Sequence, residues 1–193
     1  FDAKALEAAR GSGEMLVLRI PRLAGAPLTM LSLAARLAGG LRQTGIEPGD
    51  RVVVLMANCP EVTIAYNAIW RAGAVVTPVI FLVPPAELEL ILQDSGAKLV
   101  LATPELAANV PAHARCVTTD EFPALEQADP SEIVPRAPED PAALLYTGGT
   151  TGRSKGVLLS HENLWFAGKA GHDAGHIPGV TRGLLALPLS HAY

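Results

Sequence analysis

The sequence predicts an α/β fold, a parallel sheet with flanking helices. Two observations carry that expectation. Short apolar runs rich in β-branched residues alternate with longer stretches whose apolar residues recur at helical spacing, and few residues connect one to the next. Strands joined through helices over short connections run parallel, with right-handed crossovers. A third observation is the stretch LLYTGGTTGRSKGVLLSHENL, residues 144–164, where glycines and threonines crowd between two apolar runs. It puts a loop of unusual composition between two strands.

The elements follow in order. Thr29 can cap a helix whose apolar face is Met30, Ala34, Leu37, Ala38 and Leu41, and Gly45 ends it. GIEPGD is a turn, and RVVVLMAN, short and apolar, is a buried strand. NCPE restarts a helix, with Pro60 at an early position and Glu61 near the positive end. Val62, Ala65, Tyr66 and Ile69 form its inner face, and Gly73 terminates it. AVVTPV is the next strand. PPAELELILQDSGA is a helix entered by Pro85 and closed by Gly96, KLVLA a strand, TPELAANV a short helix capped by Thr103, and ARCVTT a further strand. ADPSEIVPRAPEDP is Pro-rich and acidic and reads as a surface loop. AALLYT and GVLLSH are strands on either side of the glycine–threonine loop, and HENL starts a helix with Asn163 available for a polar contact. Residues 1–128 are thus βα units, 129–141 a Pro-rich connection, and 142–193 the region of the loop.

Composition sets limits. The chain has 193 residues, 49% hydrophobic and 18% charged, enough apolar material to bury a core. The formal net charge of −4 argues against a nucleic-acid partner. The longest uncharged stretch, Ala72 to Ala86, falls short of the ~20 residues a membrane span needs and holds three prolines. No basic segment followed by an apolar one opens the chain. The two cysteines, Cys59 and Cys116, lie far apart in apolar surroundings without metal-ligand spacing. They read as small core residues in a reducing, cytoplasmic setting. The chain starts at Phe1 and stops just after an apolar run has delivered His191 and Tyr193, so it reads as the front portion of something longer.

The loop GGTTGRSK carries the chemistry. Glycines leave backbone N–H groups unobstructed, and successive exposed N–H groups make an anion-binding concavity. Thr147, Thr150 and Thr151 add hydroxyls and Lys155 a charge, which suits a polyphosphate. A Walker-type loop needs Ser or Thr after its lysine and then a helix, but Lys155 is followed by Gly156 and a strand. GRSKG matches a hydrolase nucleophile elbow in letters only, because Ser154 lacks the strand before and the helix after. A ligand-free hairpin, with Lys155 merely exposed, remains the bland alternative. In HDAGH, His172 and His176 at i, i+4 lack a third ligand and a general-base Glu, so a solvated surface is the expectation.

YTGGTTGRSKGVLLSHENL resembles the phosphate-binding signature of the AMP-forming adenylate enzymes, which include acyl- and aryl-CoA synthetases, luciferases and peptide-synthetase adenylation domains. The usual form has Ser where this chain has Gly148 and Pro where it has Ser154. The similarity extends through PLTMLSLAARLAGGLRQTGIEPGDRVVVLMANCPE, AIWRAGAVVTPV, ELELILQDSGAKLVLAT and LPLSHAY, with Met30 where Tyr is usual and Ser190 where Phe is usual. The resemblance implies the incomplete N-terminal domain of such a ligase, its C-terminal domain absent. It implies that a carboxylic acid, expected to be a fatty acid, attacks the α-phosphorus of ATP. Pyrophosphate leaves with Mg²⁺, and coenzyme A takes the acyl group. An acceptor thiol on a carrier protein, or a non-catalytic nucleotide- or acyl-binding module, are the alternatives.

The resemblance also assigns roles. Backbone N–H groups of Gly148, Gly149 and Gly152 would meet phosphate oxygens, and the hydroxyls of Thr147, Thr150 and Thr151 would add bonds, Thr151 near the magnesium of Mg-ATP. Lys155 would neutralise the terminal phosphate. His191 would stand near the carboxylate or close the acyl pocket, unless it is a satisfied histidine at a strand end; Tyr193 would align with it. Residues 148–154 are expected to be more mobile than the sheet without ligand. The 193 residues alone are expected to form no acyl-adenylate. The oligomeric state is left open.

Overall fold

The computed structural model describes residues 30–147, 154–175 and 189–190. The expected Thr29 cap lies outside them. The first helix, α1, runs over Met30–Gln43 and buries Met30, Ala34, Leu37, Ala38 and Leu41, the face its spacing predicts. It is followed by β1 (Arg51–Leu55), α2 (Pro60–Arg71), β2 (Val75–Val79), α3 (Pro85–Ser95) and β3 (Leu99–Ala102). The four-residue α4 (Pro104–Ala107), β4 (Cys116–Thr118), a 3₁₀ turn (Thr119–Glu121) and the short α5 (Phe122–Leu125) come next. The order closes with β5 (Pro141–Thr147), β6 (Lys155–Ser160) and α6 (His161–Gly175).

The six strands form one sheet in the order β4-β3-β1-β2-β5-β6. The expectation of a parallel sheet holds from β4 to β5. It is corrected at the last pair, since β5 and β6 run antiparallel. A loop too short to hold a crossover can only turn the chain back on itself.

Strand alternation sorts the core into two layers. Val52 and Val54 face α1 and α2 in one cluster with Leu37, Leu41, Ala65 and Ile69. Val53 and Leu55 face α3 in the other, with Leu88, Ile91 and Leu92. Side chains that alternate across a pleated strand need cover on both faces, and the helices provide it. Tyr66 departs slightly from its predicted place on the inner face: it packs against the core but stays partly accessible.

The turns behave as their glycines require. Gly73 (φ 75°) and Gly96 (φ 59°) leave α2 and α3 in the left-handed region, where a Cβ is strained. Pro60 and Pro85 open their helices where no N–H is needed. Thr103 precedes α4 as expected, but its side chain makes no capping bond; its carbonyl accepts from Leu106 and Ala107 N–H instead. One helical turn is short enough for that carbonyl to hold it.

The Pro-rich segment after α5 is mostly exposed and carries no regular structure until Pro141. It is nevertheless strapped to the helices. Ser131 N–H donates to the Ala35 carbonyl at 2.9 Å, and Val134 N–H to that of Arg71 at 3.0 Å. Arg71 Nε donates to the Ser131 carbonyl at 2.6 Å.

Candidate functional site

Thr147 is the last residue of β5 and so emerges at the carboxyl end of the parallel strands, where open α/β sheets bind ligands. It pairs directly with Lys155, the first residue of β6. The two predicted site residues at the ends of the glycine–threonine loop are therefore neighbours, and both are exposed. No helix begins at Ser154 or Lys155, since β6 starts there. That removes the structural context both the Walker loop and the nucleophile elbow require. Gly148, Gly149, Thr150, Thr151 and Gly152 lie outside the described residues, as does the mobility expectation for most of the loop. His191, Tyr193 and His176 lie outside them too.

One residue inward on the stem, Tyr146 pairs with Gly156. A Cβ on Gly156 would come within 3.0 Å of Leu144 Cδ1 and 3.4 Å of Tyr146 Cζ, so the bare glycine leaves room for the tyrosine ring. The Tyr146 hydroxyl donates to Asp94 Oδ2 on α3 at 2.6 Å. Burial, then the bond and charge of Asp94, push the phenol well above its usual value. It is thus a proton donor throughout the physiological range. A cleft of about 180 Å³ lies between α3 and the stem, lined by Glu87, Leu90, Ile91, Asp94, Tyr146 and Ser154.

The second anchored point is Leu189, two residues before His191. Its N–H donates to Asn58 Oδ1 at 2.8 Å, and its carbonyl accepts from the Tyr66 hydroxyl at 3.2 Å. Tyr66 stands edge-on to Trp70 with ring centres 5.9 Å apart, and Trp70 Nε1 donates to the Ala142 carbonyl in β5 at 2.8 Å. Helix α2 thus touches both the strand that leads to the loop and the segment that leads to His191. Sequence reasoning named none of these ties. Each joins residues 52 or more apart, and no local pattern marks such partners.

Other candidates resolve as structure. Asn163 Oδ1 accepts from Ser160 N–H and Ser160 Oγ from Asn163 N–H, both at 3.1 Å, a reciprocal cap on α6. His172 is exposed beside Asp173, and among the described residues no three His, Cys, Asp or Glu side chains form a metal site. Cys59 and Cys116 are half-buried rather than fully buried, each packed against one of the two core layers. Burial is the main cause that raises both thiols, which disfavours the reactive thiolate.

A family profile described as AMP-binding enzyme matches residues 29–193. This chain belongs to the AMP-binding enzyme family. Among similar AMP-binding relatives, a feruloyl-CoA synthase of Amycolatopsis sp is 38% identical over 178 residues, covering 89% of this chain and 36% of that protein. A 2-succinylbenzoate–CoA ligase of Geobacillus kaustophilus is 37% identical over 134 residues, covering 69% of this chain and 27% of that protein. Among solved structures, the inhibitor-bound N-terminal domain of FACL13 from Mycobacterium tuberculosis superposes with a TM-score of 0.73 at 31% identity, covering 84% of this chain and 44% of that one. The chain spans about a third or less of the length of the curated relatives it matches. The α/β architecture with its mostly parallel sheet is that of the N-terminal domain of adenylate-forming enzymes.

Proposed function

We propose that this chain supplies the pyrophosphate-gripping part of an ATP-dependent ligase that activates a carboxylic acid as its acyl-adenylate and passes the acyl group to coenzyme A. The observation that carries the proposal is the Thr147–Lys155 pair, exposed at the carboxyl end of the sheet on either side of the glycine–threonine loop. That arrangement puts a hydroxyl and a cation where the loop's ends converge. Phosphoryl chemistry asks a protein chiefly for such positioning and charge.

In this reading Thr147, Gly148, Gly149, Thr150, Thr151, Gly152 and Lys155 bind the leaving phosphates, and His191 serves the acid side. Magnesium bound to the nucleotide would offset phosphate charge, with the Thr151 hydroxyl near it. The described donors fit that arrangement, because Lys155 is exposed beside Thr147 and can meet an anion. The acid class is open to fatty and aromatic members. Relatives include a feruloyl-CoA synthase, and the solved structures include a fatty acyl CoA synthetase of Mycobacterium tuberculosis. A carrier-protein thiol is the second reading for the acceptor, favoured by 37% identity over 134 residues to a nonribosomal peptide synthetase. Among the described residues no helix is long and apolar enough to cross a membrane. The unbridged cysteines support a cytoplasmic location.

The test is pyrophosphate release by the whole protein with ATP, Mg²⁺ and a panel of fatty and aromatic acids, with the adenylate identified by mass spectrometry. Lys155→Ala is expected to reduce release on the order of a hundredfold, as loss of one charge-stabilising group does. Undiminished release by that variant would refute the assignment.

A further inference from the structure

We propose that Asp94 and Tyr146 form a positioning pair that holds the base of the glycine–threonine loop against α3 and so sets where Thr147 and Lys155 meet the nucleotide. The proposal rests on the phosphate-binding reading above.

The stem needs such a tie. Strand β5 registers on β2 at Val76 with Ala143, four residues before Thr147. From Leu144 onward its ladder partner is β6, whose residues from Lys155 to Leu158 are all exposed. Strand β6 is thus the edge of the sheet, held on one side only, and an uncovered two-stranded pairing is marginal in stability by itself. Its end would swing, and a phosphate gripped by a swinging stem is poorly placed. Tyr146 prevents this. Its ring lies over Gly156 on the opposite strand, and its hydroxyl reaches Asp94 at 2.6 Å. One side chain thereby touches both strands of the stem and the helix behind them.

The helix end that receives the hydroxyl is itself fixed. Asp94 lies in the last turn of α3. Arg51, at the start of β1, donates through Nε to the Ser95 carbonyl at 2.7 Å and through Nη2 to that of Gly96 at 3.1 Å. A continuous set of bonds thus runs from the central strand through the end of α3 to the stem. The cleft between α3 and the stem is lined by Asp94, Tyr146 and Ser154 together, so the tie borders the loop rather than a remote surface. Asp94 is exposed, and the pair adds little to global stability. Its effect should therefore appear in catalysis first.

The experiment uses the whole protein and five variants: Tyr146→Phe, Asp94→Ala, the double variant of these two, Asp94→Asn and Lys155→Ala. Three quantities are read: kcat/KM for ATP in adenylate formation, the rate of thioester formation from synthetic acyl-adenylate and coenzyme A, and the melting temperature. Tyr146→Phe and Asp94→Ala should each lower kcat/KM for ATP on the order of tenfold. The double variant should be no worse than either, as expected for two groups that act as one. Asp94→Asn keeps an acceptor oxygen and should restore most of the rate. The thioester step, which no longer involves pyrophosphate, should stay within about twofold of wild type in all of these. The proposal is overturned if Tyr146→Phe leaves the ATP step unchanged while Lys155→Ala suppresses it. It is also overturned if both steps fall together with the melting temperature, which would mark a purely structural bond. If Lys155→Ala spares the ATP step as well, the phosphate-binding reading fails and this inference with it.

Discussion

The β4-β3-β1-β2 part of the sheet and the β5–β6 hairpin with α6 use similar apolar residues in opposite environments. In the first region both faces of β1 and β3 are covered, and Val52 to Leu55 are fully buried. In the second, Leu158 is 56% exposed, Trp165 66% and Phe166 69%, and α6 buries none of its residues. Parallel strands bring their own cover, because the helix that returns the chain packs on the sheet. A hairpin brings none. The candidate site sits on this boundary, with its inner wall on a rigid layer and its outer wall on an exposed strand.

The contrast can be broken most directly in the buried layer. Leu37→Ala should destabilise the protein by about 3 kcal/mol, the usual effect of removing a fully buried leucine, read by urea unfolding. The matched change Leu158→Ala on β6 should stay within about 0.5 kcal/mol. Equal losses at the two sites would show that β6 is covered after all.

Gly39→Ala sharpens the comparison at the strap over α1. Helix propensity alone favours alanine by up to about 1 kcal/mol. A Cβ there would lie 2.1 Å from the Asp129 carbonyl oxygen, a backbone atom that cannot move without lifting the strap. The clash should win, with a net loss of about 1–2 kcal/mol in thermal unfolding. A stabilised variant would mean that the strap is not held closely.

Lys155→Ala should leave unfolding within about 0.5 kcal/mol, although it is expected to lower pyrophosphate release about a hundredfold. This separates site from scaffold in one variant; a collapse of the thermal transition would place the lysine in the fold instead.

The smallest effect is expected at His161, where α6 begins. Burial, and then the nearby Arg136 charge, lower its pKa below the usual 6.5. The folded state therefore resists protonation. Stability should be fully present above pH 6.5 and decline slightly as pH falls below it towards the lower folded value. His161→Asn should flatten that slope in thermal melts at pH 5 to 7. A slope of opposite sign would mean the ring binds its proton better when folded.

Much of this protein was legible in one dimension. The apolar spacing from Met30 to Leu41, the prolines at helix starts and the glycines at helix ends act within a few residues, and the structure keeps them. The strand on either side of GGTTGRSK was legible for the same reason, and with it the rejection of a helix at Lys155. The antiparallel last pair was not separated from the parallel run: an apolar strand looks alike in either direction, and the signal that was present is the short loop, which leaves no room for a crossover. The Pro-rich segment showed its lack of regular structure but not its bonds to Ala35 and Arg71.

By itself the sequence determined where the elements lie, which faces they bury and which residues could meet a phosphate. Those outcomes depend on backbone preference and on periodicity, both short-ranged. Only the tertiary structure decided that Thr147 meets Lys155, that Asp94 receives the Tyr146 hydroxyl and that Asn58 and Tyr66 hold Leu189. These partners are brought together by the order of strands in the sheet. That order is set by how whole layers bury their apolar faces, which no single stretch of chain encodes.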